Sequence, residues 1–278
     1  MNPLLREAEL PRFDQIDASH VVPAISAILE ENQAEIDRHK MASTPEQAYR
    51  AFHEFERLEA RLAEAWSPVS HLNAVVNNDE LRAAYNACLP LISAYETAQG
   101  QDPALKSLFE VLKQNAGSLG LTLAEQKAVD NALRDFQLSG VDLDQPTRAR
   151  FGALKQSLSA ATSRYAENVL DATDAWYKQI ETPDRLRGLP ERAMALARQS
   201  AKDADMEGYR LTLSAPSYLA VMTHAEDRDL RREVYEAFVT RASDQGPQAG
   251  QFDNTALMQE TLIDRQSPAE RPGFERLT

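Results

Sequence analysis

A single cysteine, Cys88, stands among 278 residues, so the chain can form no internal disulfide, no C-x-x-C redox pair and no thiolate zinc cluster. Beside Leu89 in an apolar helical stretch, Cys88 reads as a small core hydrophobe rather than a nucleophile. Long hydrophobic runs are missing too. Ala193 to Ala197, one of the longest, has five residues, against the roughly 20 that a bilayer span requires. No secretory signal is read at Met1-Asn2-Pro3-Leu4-Leu5-Arg6-Glu7, and the expected compartment is the cytoplasm. Positive charge is scarce: 30 Lys and Arg face 43 Asp and Glu, a formal charge of −13 spread along the chain. Binding nucleic acid needs clustered cations that release counterions, so neither nucleic acid nor an anionic membrane is an expected partner.

What remains is a globular chain with 3.6-residue hydrophobic spacing nearly throughout. Val22, Ile25, Leu29 and Ile36 form one stripe of a helix that follows Ser19 and runs to about His39, with Pro23 placed in its first turn. Thr44-Pro45-Glu46-Gln47 supplies an N-cap hydroxyl, a proline at the first helical position and a Gln three residues after the cap. From there Phe52, Phe55, Leu58, Leu62 and Trp66 step by three or four until Ser67-Pro68 interrupts. Asn77-Asn78-Asp79 caps a third helix in which Pro90 predicts a kink, and a shorter helix follows Asp102-Pro103. Thr122-Leu123-Ala124-Glu125 is a capping box, with Gly140 placed for a left-handed helix end. A long helix after Pro146 carries Phe151, Leu154, Leu158, Ala161, Tyr165 and Val169.

After Asp171 the period changes. Trp176 to Ile180 and Tyr209 to Leu213 alternate bulky and polar residues, which predicts two short strands flanking a helix from Pro190 to about Ala204. Trp176 and Tyr177 read as core. Helix returns with Leu230, Val234 and Phe238 on one face and Asp227 four residues before Arg231. Residues 243–250, rich in Gly, Pro and Asp, form a loop, and Asp253 or Asn254 caps a last helix that Pro268 and Pro272 should break. The fold class is mainly α, a multi-helix lobe with a two-stranded β element near residues 176–213.

Chemistry is hard to find in the residues. The five histidines, at 20, 39, 53, 71 and 224, include no pair four apart. His53-Glu54-Phe55-Glu56-Arg57 begins like H-E-x-x-H, but a fixed cation stands where the second imidazole is needed. His71 has two readings, a general base or a turn residue in a Ser/Asn-rich connector, and the second is preferred. Carboxylates such as Glu30-Glu31 and Asp203/Asp205 read as solvated helix faces. No phosphate loop, dinucleotide fingerprint or nucleophile elbow occurs. No residue is therefore assigned as catalytic, cofactor-binding or metal-ligating.

Several strings are less generic: Ser67-Pro68-Val69-Ser70-His71-Leu72-Asn73, Lys127-Ala128-Val129-Asp130-Asn131-Ala132-Leu133-Arg134-Asp135-Phe136, Asn168-Val169-Leu170-Asp171-Ala172-Thr173 and Thr240-Arg241-Ala242-Ser243-Asp244-Gln245-Gly246-Pro247. Over about residues 1–262 the chain resembles the N-terminal half of the thimet-oligopeptidase family of zinc metallopeptidases. The resemblance implies a helical N-terminal lobe at 1–262, which in the family walls a channel for short peptides, and a divergent, irregular tail at 263–278. The family's zinc is held by the two His of H-E-x-x-H and a downstream Glu in a C-terminal lobe, which this sequence does not contain. Zinc is thus expected in the full-length family and none in this chain. The implied partners are short peptides, a C-terminal lobe or a second copy of the chain. A non-catalytic helical module that binds peptides or a partner is the alternative.

Overall fold

The computed structural model describes residues 2–6, 10–76 and 78–269. The described chain is mainly α-helical, with ten α-helices and one two-stranded antiparallel sheet among those residues. The described residues divide into two compact units: those before Ala161 together with 264–269, and Ala161–Ile263.

The first unit contains α1 (Ala18–His39), α2 (Pro45–Val75), α3 (Asp79–Gly100), α4 (Pro103–Gln114), α5 (Leu123–Leu138) and the start of α6 (Gln145–Ala175). Each of the first five begins at a side-chain cap. Asp17, Thr44, Asn78, Asp102 and Thr122 accept from first-turn amides that would otherwise have no partner. α1 starts at Ala18 rather than after Ser19; its cap is Asp17, and His20 completes the box by accepting from the Asp17 amide at 3.1 Å. Pro23 therefore sits in the second turn, not the first, and the helix runs through it.

Two more prolines are absorbed in the same way. The expected break at Ser67-Pro68 is absent, for α2 continues to Val75. Pro68 removes one backbone donor, at a cost of about 3 kcal/mol. Leu62 and Ala65 before it, and Val69 after it, are all buried in one cluster with Ile25, Ile28, Leu81 and Ile92. Burial of side chains on both sides of the proline, about 1.5–3 kcal/mol for each large one, outweighs the single lost bond. Pro90 likewise lies inside α3. A second cluster joins Phe52, Phe55 and Leu58 of α2 to Leu105, Leu108, Phe109 and Leu112 of α4 and Val129 and Phe136 of α5. Gly140 holds φ at +78° after α5, the left-handed geometry read from its position.

The second unit is built on β1 (Tyr177–Ile180) and β2 (Tyr209–Thr212), paired antiparallel with Tyr177 opposite Thr212 and Ile180 opposite Tyr209. Around them lie α7 (Glu191–Asp203), α8 (Ala215–His224) and α9 (Arg228–Val239), with α10 (Thr255–Ala269) after the 243–250 loop. Ile180, Tyr209, Leu211 and Leu213 share a core with Val221, Leu230 and Val234, and Trp176 packs against it. Tyr177 does not: it is 45% exposed and lies beneath Arg210. Gly208 turns into β2 at φ +80°, where an added Cβ would strike the Ile180 carbonyl, so only glycine serves. Asp227 caps α9 and pairs with Arg185 at 2.7 Å, while Arg231 donates to the carbonyls of Ala225 and Glu226. The anticipated Asp227/Arg231 pair yields to those contacts.

The last helix also departs from expectation. α10 continues through Pro268 to Ala269, so residues 263–269 of the anticipated irregular tail are helical. Pro268 stands one residue before Ala269, the last described residue of α10. Pro272 and the rest of that tail lie outside the described residues.

Candidate functional site

The histidines are dispersed. His20 caps α1, and His39 approaches Glu35 at 3.8 Å. His71 is an exposed residue of α2, not of a connector, and meets the Phe13 ring edge-on at 5.6 Å. His224 closes α8. His53 lies half exposed on α2 with its ring against Tyr49, and its Nε2 is 3.4 Å from Glu125 Oε1. Glu125 is already committed: it accepts from Thr122 in the capping box and from the Tyr49 hydroxyl at 2.8 Å, contacts that hold its carboxyl below the usual range. One turn after His53, Arg57 grips Glu54 through Nε and Nη2 at 3.1 and 2.5 Å. The string that begins like a zinc motif is thus a Glu–Arg pair on a helix surface. Among the described residues no group of three or more His, Cys, Asp or Glu comes together to hold a metal ion. A catalytic zinc takes three protein ligands around one ion. Cys88 is fully buried, and burial pushes its thiol up to about 11, as suits a core residue.

A site does arise among the carboxylates. Glu56 and Glu59 of α2, Glu96 of α3 and Asp135 of α5 converge on a cavity of about 420 Å3 floored by Ile36, Phe55, Leu105, Phe109 and Phe136. Burial and then the like charges of Glu56 and Glu96 raise the Glu59 carboxyl above its ordinary value. Tyr95 shares that field, raised first by burial and further by Glu59 and Glu96. An electronegative rim over an apolar floor suits a cationic group with a hydrocarbon stem. Reading each carboxylate as a solvated face misses this arrangement, because the acids belong to three helices whose packing no single period reveals.

Residues 25–148 match the family model of the neurolysin/thimet oligopeptidase N-terminal domain. More particularly, similarity to bacterial oligopeptidase A runs the length of the chain and covers the N-terminal portion of those proteins. The chain is 44% identical over 278 residues to oligopeptidase A of Haemophilus influenzae, spanning 100% of this chain and 40% of that protein. It is 43% identical over 274 residues to that of Escherichia coli, spanning 99% and 40%. Identity to the dipeptidyl carboxypeptidase of Escherichia coli is 24% over 282 residues. The chain thus spans about 40% of the length of the curated relatives it matches.

Proposed function

We propose that this chain is the N-terminal part of a zinc-dependent oligopeptidase that degrades short peptides, with the chemistry carried by a lobe outside these 278 residues. The end-to-end similarity to oligopeptidase A carries the reading. Support also comes from the donor set, since Arg57 occupies the place where H-E-x-x-H needs a second imidazole. Zinc belongs to the missing lobe on this reading, and this chain contributes scaffold and substrate-facing surface. The cytoplasm is the proposed compartment; no helix among the described residues is long and apolar enough to cross a membrane.

Hydrolysis of a quenched fluorescent peptide tests the proposal. The purified chain with added zinc should show no turnover. Fusing it to the C-terminal portion of Haemophilus influenzae oligopeptidase A should restore hydrolysis that a chelator abolishes. Turnover by the isolated chain, surviving a second purification step, refutes the assignment of chemistry to another lobe; a folded but inactive fusion refutes the assignment to this peptidase class.

A further inference from the structure

A cavity of about 420 Å3 opens between α7, β2 and the start of α8, wholly within the second unit. Leu189, Ala193 and Leu196 wall it and Leu211 lies at its base. That volume is within the range of small-ligand sites. Leu196 leaves 54% of its surface in water, so the wall is apolar and uncovered. Arg210 is the one cationic side chain in the lining. Its guanidinium lies 4.9 Å from the centre of the Tyr177 ring, its Nε is buried with no hydrogen-bond partner, and its Nη1 reaches Ser200 Oγ only at 3.5 Å. Among the described residues no carboxylate forms an ion pair with it. Asp203, the one acid in the lining, accepts from Gln199 at 2.6 Å.

Three hydroxyls in the lining supply further donors. Thr212 and Ser214 hydroxyls stand 2.9 Å apart, a contact that uses one of their two protons and leaves the second free. Ser217 Oγ accepts from the Thr212 amide at 3.0 Å and keeps its own proton available. A cation with an unmatched N–H, two spare hydroxyl protons and an open hydrocarbon wall are jointly satisfied by one kind of ligand.

We propose that this cavity binds a carboxylate carried on an apolar group, the carboxylate on Arg210 and the hydrocarbon against Leu189, Leu196 and Leu211. The C-terminal residue of a short peptide and a free fatty acid share this chemistry. The proposal is independent of where the peptidase chemistry resides.

Nitrogen-15 and methyl NMR titrations of the full chain with N-acetyl-leucine, N-acetyl-leucinamide and decanoate test it. An acid should shift the Arg210 Nε–H and the Leu196 and Leu211 methyls, and N-acetyl-leucinamide should bind about tenfold more weakly than N-acetyl-leucine, the scale of one lost charge-assisted bond. Response to N-acetyl-leucine supports the site with a peptide end as source; response to decanoate alone supports it with a fatty acid as source. Arg210→Gln should abolish binding of whichever acid responds. Equal binding of N-acetyl-leucine and its amide, unchanged binding in the variant, or no response to either acid at millimolar concentration overturns the proposal. The acid and amide comparison needs no variant, so it stands if Arg210→Gln does not fold.

Discussion

Asp227 does two jobs with one carboxylate. It accepts from the Leu230 amide at 2.9 Å to cap α9 and binds Arg185 Nε at 2.7 Å. The Arg185 guanidinium, followed by the amide, holds its carboxyl below the ordinary 3.8. A carboxyl lowered in the folded state stabilises at neutral pH, and its contribution is lost as pH falls below about 4 through the folded value. Asp227→Ala should cost about 1–2 kcal/mol in urea unfolding at pH 7, the scale of a lost cap, with a smaller difference from the parent at pH 3. Glu59 has the opposite sign. Its carboxyl is raised, so its ionisation opposes folding once pH exceeds the ordinary value of 4.5. Its side chain still reaches solvent, which keeps the effect small. Glu59→Gln should raise the melting temperature at pH 7 by on the order of 1–2 °C and leave it unchanged at pH 3. Caps such as Thr44, Asn78 and Thr122 are legible in sequence because they act within one turn. The pairing of Asp227 with Arg185 and the approach of Glu96 to Glu59 are not, because those partners arrive from other elements.

At the scale of elements, spacing locates most of the helices and both strands, while proline misleads. Pro68 reads as a break, yet α2 runs 31 residues through it because Leu62, Ala65 and Val69 are buried on either side. Tertiary burial thus outweighs a local preference that sequence alone reports faithfully. Since the lost bond is an unrelieved cost, Pro68→Ala should stabilise the chain by about 1 kcal/mol after the smaller side chain's packing loss. Thermal unfolding monitored by circular dichroism checks the sign; a clear destabilisation would mean that α2 needs a bend at this position. α8 escapes the sequence reading altogether. Its ten residues carry Tyr218, Leu219, Val221 and Met222 without a separated polar face, so no stripe marks it.

At the scale of the whole molecule, the helical fold and the resemblance to thimet oligopeptidases are readable in spacing and in ordered strings of residues, whereas the two cavities are not, because each needs several elements packed together. The exposed apolar residues also belong to this scale. Leu123 is 85% exposed, and Leu262 and Ile263, consecutive residues of α10, are 67% and 66% exposed. Such surface favours association with another chain or another copy, so static light scattering should show a mass above that of the monomer as concentration rises. A constant monomer mass would show that these residues are tolerated in water. The central proposal concerns metal: catalytic zinc is held by a lobe outside these 278 residues. Its most direct test is elemental analysis of the folded chain after equilibration with zinc and dialysis against a weak chelator. The account predicts zinc far below one per chain; one tightly retained zinc per chain would contradict it.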